Sequence, residues 1–205
     1  LDGQLTKHYT GARSEALRSS LNLLGSHDTP RILELMGGDH EKAKLLAAFQ
    51  FVSPGIPQIY YGDEVGMRGW SDPECRRGMT WDPAKQNHDL LSLYRHLSKL
   101  RKQYPALRRG GFRSLWHAQG DPLYAMLRTH ESGNVVGVFN TAWHERELEL
   151  PGGWLRSDES IEMINLTGWG HLIQNEPKKT GGGGIRRATI PLRMGPQSAC
   201  LLVTK

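Results

Sequence analysis

No stretch of this chain approaches the ~20 consecutive apolar residues that a membrane-spanning helix requires, so a helical membrane protein is excluded and no membrane partner is expected. Cysteine is equally scarce. Cys75 and Cys200 sit in unrelated contexts, without metal-ligand spacing, and a disulfide scaffold of this length needs more of them. Two reduced, inert thiols fit a cytoplasmic setting. The sequence has no signal peptide at its start and begins without Met, inside sequence of helical character, so the native start is expected to lie upstream. A concentrated charge of one sign is missing too. Twenty-six Lys and Arg against 21 Asp and Glu leave a net charge of +5 and a pI near 9.3. The densest basic groups are mere pairs: Arg76-Arg77, Arg108-Arg109 and Arg186-Arg187. Nucleic-acid binders concentrate such charge on one face or tail, so no nucleic-acid partner is expected. Apolar residues make up 38% of the chain and 24 residues are Gly, which leaves it polar for its size but able to form a core. A length of 205 residues suits roughly one or two domains.

The pattern along the chain divides it in two. A short helix is expected from Arg13 to Ser20, then a strand of buried type, Leu21-Asn22-Leu23-Leu24, ending at Gly25-Ser26-His27-Asp28. Asp39 can cap a helix running to about Val52, because its carboxylate can accept backbone N–H bonds. Apolar residues on most faces of that helix (Ala43, Leu46, Ala47, Phe49, Phe51) predict cover on more than one side. Ser53-Pro54-Gly55 breaks it, and Ile56 to Tyr61 reads as a second buried strand ending at Gly62-Asp63-Glu64. A polar loop without periodicity runs from Val65 to Gln86. Leu90, Leu93, Tyr94, Leu97, Arg101 and Tyr104 then repeat at helical spacing until Pro105. Strand, helix, strand, helix is the order of a parallel sheet with crossover helices.

After Gly110-Gly111 short alternating segments take over: Phe112–Trp116, Leu123–Arg128, Val135–Asn140, Glu145–Leu150, Ile161–Leu166 and Ala199–Val203. Turn residues separate them, and Gly181 to Gly184 reads as a loop tip. The grammar is that of an antiparallel β-sandwich, so residues 1–110 form one unit and 111–205 a second. The fold class is α/β plus all-β.

Loops at the carboxyl ends of parallel strands build the sites of such folds. Both strands here end in acids, Asp28 after the first and Asp63 and Glu64 after the second. An Asp beside a His at a strand end can equally be a helix cap or a loop hydrogen bond. The wider strings carry more. NLLGSHDTPR (Asn22 to Arg31), GIPQIYYGDEVGM (Gly55 to Met67) and DPECRRGMTWD (Asp72 to Asp82) occur in that order. Together they resemble the α-amylase family of glycoside hydrolases, in its cyclomaltodextrinase, neopullulanase and maltogenic amylase branch. The likeness runs from about Leu21 to Gly110 and more loosely to Lys205.

That resemblance implies a TIM barrel, of which the two strands would be the seventh and eighth, followed by a small antiparallel sandwich. It implies a retaining enzyme cleaving α-1,4-glucosidic bonds in maltodextrins, cyclodextrins, pullulan or starch, with no cofactor and no metal at the residues present. Retaining hydrolysis uses a nucleophile and an acid/base around an oxocarbenium-like transition state. In the family a third carboxylate binds sugar hydroxyls and helps distort the ring, and the matching residue is Asp28. By the same resemblance His27 bonds hydroxyls at the cleavage point, while Asp72 and Arg76 bind sugar one or two subsites away. A carboxylate and a guanidinium suit vicinal hydroxyls, although the pair also reads as a local loop ion pair. Tyr60, Tyr61 and Glu64 match the family's last string and read as core and supporting groups. Trp70 suits either sugar stacking or packing, and Gly78 stands where the branch usually has Pro.

The family's nucleophile Asp and acid/base Glu lie on earlier strands, and no segment here carries their motifs. The expected partners are therefore an α-glucan or cyclodextrin, an amino-terminal part of the same enzyme, and a second copy of the chain in a homo-oligomer. The alternative is a non-catalytic carbohydrate-binding or structural module, which the second unit alone would suit but which has no use for a His-Asp strand end.

Overall fold

A computed structural model of the chain describes residues 9, 14–118, 120–155, 159–173 and 189–205. The glycine tract at 181–184 and the pair Arg186-Arg187 lie outside the described residues. The first half runs α1 (Ser14–Ser19), β1 (Leu21–Leu23), α2 (Ile32–Leu35), α3 (His40–Val52), β2 (Ile56–Gln58), α4 (His88–Gln103) and α5 (Pro105–Arg109). Strands β1 and β2 are parallel, with Leu21 opposite Ile56 and Leu23 opposite Gln58. A parallel pair needs a crossover, and α3 lies within it.

Helix α3 begins where Asp39 accepts hydrogen bonds from the N–H groups of Glu41 and Lys42, at 3.0 and 3.1 Å. It is buried along most of its length, as its scattered apolar positions require. One polar residue in it, Gln50, is buried because its Nε2 donates to the carbonyls of Asn22 and Gln58 at 2.7 and 2.9 Å. That single amide stitches the helix to both strands. The turn into β2 depends on Gly55, whose φ is 101° and where a Cβ would come within 2.8 Å of the Ser20 carbonyl.

The two strands are less covered than their sequences suggest. Leu21, Leu23 and Ile56 keep 57%, 55% and 46% of their surface exposed. The pair forms a sheet of its own, so cover from α3 and its neighbours leaves these side chains open. Helix α4 buries Leu90, Leu93, Tyr94, Leu97 and Leu100 and is capped by Asn87, which accepts from the Leu90 N–H at 2.8 Å. Pro105 both ends α4 and opens α5, because its fixed φ suits a first helical turn while its missing N–H cannot continue the previous one.

From Gly111 onward the chain is antiparallel strand: β3 (Gly111–Trp116), β4 (Leu123–Thr129), β5 (Val135–Asn140), β6 (Arg146–Pro151), β7 (Ile161–Thr167), β8 (Gly170–Leu172), β9 (Thr189–Met194) and β10 (Ser198–Thr204). They make a five-stranded sheet, β3-β4-β5-β10-β7, and a three-stranded sheet, β6-β9-β8. The six segments read from sequence are present with ends shifted by at most one residue, whereas β8 and β9 went unread. Pro191 lies inside β9, where a missing N–H argues against a central strand. Here its carbonyl still accepts from Ile173 N–H at 3.0 Å.

The five-stranded sheet is covered on both faces. Leu123, Ala125, Leu127, Val136, Val138, Cys200 and Leu202 pack with Leu148, Leu150, Ile190, Leu192 and Met194 of the smaller sheet. Alternate residues, Tyr124, Met126, Val135, Phe139, Ala199, Leu201 and Val203, pack with α3, α4 and α5. A buried Arg128 locks the two halves together. Its guanidinium donates to the carbonyls of Val52, Leu107, Gly110 and Gly111 at 2.6, 3.3, 3.0 and 3.1 Å.

Candidate functional site

Because β1 and β2 are parallel, the loops that follow them leave from the same end. The first is shaped by Ser26 and Thr29. Ser26 N–H donates to Thr29 Oγ1 at 3.0 Å, and Asp28 N–H donates to Ser26 Oγ at 3.2 Å. These short side chains bond the local backbone and keep it out of regular structure, which presents His27 and Asp28 to solvent. The second loop turns through a 3-10 segment, Asp63–Val65, between Gly62 and Gly66 at φ of 87° and 77°. It continues to another such turn, Glu74–Arg76.

The two loops meet at Arg76. Its Nε donates to the His27 carbonyl at 2.9 Å and its Nη2 to Asp28 Oδ1 at 3.1 Å. Asp72 Oδ1 lies 3.6 Å from the same Nε, and His27 Nε2 lies 3.2 Å from Asp28 Oδ2. His27, Asp28, Asp72 and Arg76, all singled out from sequence, thus form one contiguous polar group. The side chains are exposed, at 65%, 67%, 62% and 46%. Exposed ion pairs contribute little stability, so this arrangement adds little to folding. Cys75, buried between them, adds an Sγ contact to the His27 carbonyl at 3.4 Å. Both cysteines are free and buried.

Beneath this group lies a residue that sequence reasoning passed over. Arg31 closes the first string and is entirely buried. Its Nη1 donates to the Tyr61 carbonyl at 2.6 Å and to Asp63 Oδ1 at 3.2 Å. The guanidinium lies over the rings of Tyr60 and Tyr61, 4.6 and 4.8 Å from their centroids. The tyrosines in turn reach the site loop: Tyr60 Oη donates to the Cys75 carbonyl at 3.2 Å and Tyr61 Oη to the Arg77 carbonyl at 2.7 Å. Arg31 and the two rings therefore connect the ends of both strands to the loop that carries Asp72 and Arg76. Burial pushes the Asp63 carboxyl up to about 6, against the pull of Arg31. The only sequence signal for this arrangement was an Arg two residues beyond the His-Asp-Thr turn.

Trp70 and Trp81 on the same loop keep 56% and 79% of their surface exposed. A side chain at Gly78 would meet open space. Among the described residues, no group of three or more His, Cys, Asp or Glu side chains is placed to hold a metal ion.

The chain has likenesses among known proteins. Residues 3–85 match the model of the alpha amylase catalytic domain. The chain is similar to members of the α-amylase family of glycoside hydrolases. Within that family its relatives bear the names cyclomaltodextrinase, neopullulanase and maltogenic amylase. It is 47% identical over 143 residues to a cyclomaltodextrinase of Geobacillus thermopakistaniensis (strain MAS1), across 67% of this chain and 24% of that protein. It is 43% identical over 150 residues to neopullulanase 2 of Thermoactinomyces vulgaris, across 73% of this chain and 26% of the relative. The chain thus spans about a quarter of the length of these relatives. A solved debranching enzyme from Nostoc punctiforme superimposes with a TM-score of 0.80 at 28% identity, over 98% of this chain and 39% of that one.

Proposed function

We propose that this chain is the carboxyl-terminal part of a retaining glycoside hydrolase that cleaves α-1,4-glucosidic bonds in maltodextrins, cyclodextrins, pullulan or starch. Residues 1–110 supply the last two strand-helix units of its TIM barrel, and residues 111–205 a β-sandwich. The observation that carries this reading is the union of His27 and Asp28, at the carboxyl end of β1, with Asp72 and Arg76 from the loop after β2.

The chemistry follows from what each group can do. Asp28 acts in catalysis by accepting hydrogen bonds from sugar hydroxyls as the ring flattens toward an oxocarbenium ion. Hydroxyl bonds of this kind strengthen in the transition state and supply several kcal/mol. Arg76 orients that carboxylate, and with Asp72 it offers donors and acceptors to the neighbouring sugar. His27 bonds the sugar at the cut. The nucleophile and the acid/base come from an amino-terminal barrel segment of the same enzyme, and the exposed Leu21, Leu23 and Ile56 suit a surface that such strands cover. A cytoplasmic setting and a homo-oligomer complete the reading. Two buried free thiols accord with the first.

The test is a chimera in which this chain replaces the matching segment of the Geobacillus cyclomaltodextrinase. Cyclodextrin hydrolysis by the folded chimera, lost on Asp28→Asn, is the expected result. A folded chimera that hydrolyses cyclodextrin equally well with Asn at this position overturns the assignment of Asp28.

A further inference from the structure

Far from His27 and Asp28 in the chain, at the end of the sheets where β5, β7 and β9 finish, two tryptophans stand exposed. Trp143 keeps 69% of its surface open and Trp169 keeps 42%. Backbone bonds hold their loops in place: Gln197 N–H donates to the Ala142 carbonyl and Gly195 N–H to the Trp169 carbonyl, each at 2.8 Å. Asn140 Nδ2 donates to the Gly195 carbonyl at 2.7 Å and ties the two loops together. The Trp169 indole stacks on His171 with centroids 5.4 Å apart and planes 9° from parallel. Lys42 of α3 places its ammonium 4.7 Å from the Trp143 ring centroid. An ammonium over one face of an indole leaves the other face free.

A cleft of about 300 Å³ lies between α3, α4 and the turn that leads into Trp169, at the lower end of the range of roughly 300–1,000 Å³ for small-molecule sites. Its walls include Glu41 and Lys44 from α3, Asp89 and Ser92 from α4, and Thr167 and Gly168 just before Trp169. The Thr167 hydroxyl is buried without a hydrogen-bond partner. Two ion pairs lie at the start of α3, Lys44 Nζ 2.8 Å from Glu41 Oε1 and Lys42 Nζ 3.5 Å from Asp39 Oδ2, and Asp89 adds a further carboxylate to the cleft wall. Flat exposed rings beside paired charges and hydroxyls match a neutral polyhydroxylated ligand, with an apolar ring face and a polar rim. They offer no excess positive charge for an anion and no continuous apolar face for a protein helix.

We propose that Trp143, Trp169 and this cleft form a second binding site, for an α-glucan chain, separate from the His27 and Asp28 group. The choice of glucan rests on the function proposed above. The site binds without cleaving, with Trp143 as its stacking platform and the Glu41, Asp89 and Ser92 side chains as hydroxyl partners.

Affinity electrophoresis of the 205-residue chain through gels containing soluble maltodextrin tests this. The chain is expected to be retarded, and Trp143→Ala should weaken the apparent affinity about fivefold to tenfold, the loss of one aromatic stacking contact. Trp143→Phe, which keeps a ring, should restore most of it, and the exposure of Trp143 means that neither change reaches the core. A double variant, Asp28→Ala with Arg76→Ala, should leave retardation in place. Failure of the unaltered chain to be retarded overturns the proposal. So does equal retardation of the Trp143→Ala protein. Loss of retardation only in the Asp28 and Arg76 variant also overturns this second site while leaving the glucan-hydrolase reading intact. An active chimera beside an unretarded chain separates the two in the same way.

Discussion

Arg76 Nη2 and Asp28 Oδ1 meet at 3.1 Å although 48 residues separate them in the chain. One guanidinium thereby couples the loop after β1 to the loop after β2, because its Nε is engaged by the His27 carbonyl at the same time. Removing either partner changes both the charge near Asp28 and the path of its loop, which makes this contact the natural place to separate binding from chemistry.

Asp28→Asn in the chimeric enzyme is expected to collapse kcat while leaving the fold intact, since the side chain is 67% exposed and its charge acts chiefly in the transition state. Steady-state kinetics on cyclodextrin beside a thermal melt measure the two effects. Near-normal turnover would remove Asp28 from the catalytic group.

Asp72→Ala and Arg76→Ala should weaken binding of longer maltodextrins more than they slow cleavage of a short chromogenic maltoside. Comparison of kcat/KM across a chain-length series reads this directly. Equal losses at every length would assign the pair to loop structure alone.

The pH dependence of stability should carry a signature of Asp63. Its folded pKa, about 6, lies above the ordinary carboxylate value of 3.8, so the folded state binds the proton more tightly than the unfolded chain. The resulting stabilisation is fully present below about pH 4 and is lost as pH rises through about 6, with a full extent on the order of 3 kcal/mol. Urea unfolding between pH 4 and 7 should show this slope in the unaltered chain and a flatter profile in Asp63→Asn. An identical slope in both would show that other groups set it.

Arg128→Met should cost about 3–5 kcal/mol, because it strips donors from four carbonyls at the junction of α3, α5 and β3. Lys should rescue little, since one ammonium cannot reach carbonyls spread around a planar fork. A change below about 1 kcal/mol in the urea midpoint, converted by the slope, would contradict the clamp.

The chain by itself is expected to hydrolyse neither maltotriose nor cyclodextrin, and to self-associate through the open Leu21, Leu23 and Ile56 surface. Light scattering together with a reducing-sugar assay on one sample examines both. A stable 23.0 kDa monomer that cleaves glucan would refute this.

Local chemistry was enough to place most elements. Asp39 announced a helix start because a capping side chain needs only its own turn, and the spacing of Leu90, Leu93, Tyr94 and Leu97 marked the buried face of α4. The short apolar runs of β4 and β5 between turn residues were legible as strand, and the strings around His27-Asp28 and Asp72-Arg76 marked candidate site residues by type and order. All of these are properties of a few neighbouring residues.

Tertiary structure decided what depends on partners far along the chain. Nothing in the sequence marks Arg31 and Arg128 as buried, yet both are, because carbonyls and tyrosine rings from other segments surround them. Leu21 and Leu23 read as core and are open, because burial depends on what covers a strand rather than on its own composition. Strand β9 was hidden by Pro191, whose missing N–H is tolerated only where the neighbouring strands need its carbonyl instead. The meeting of Arg76 with Asp28, and of Lys42 with Trp143, arises from parallel strand ends and from a helix packed on a sheet. Sequence supplied those groups, and long-range packing alone brought them within reach of one another.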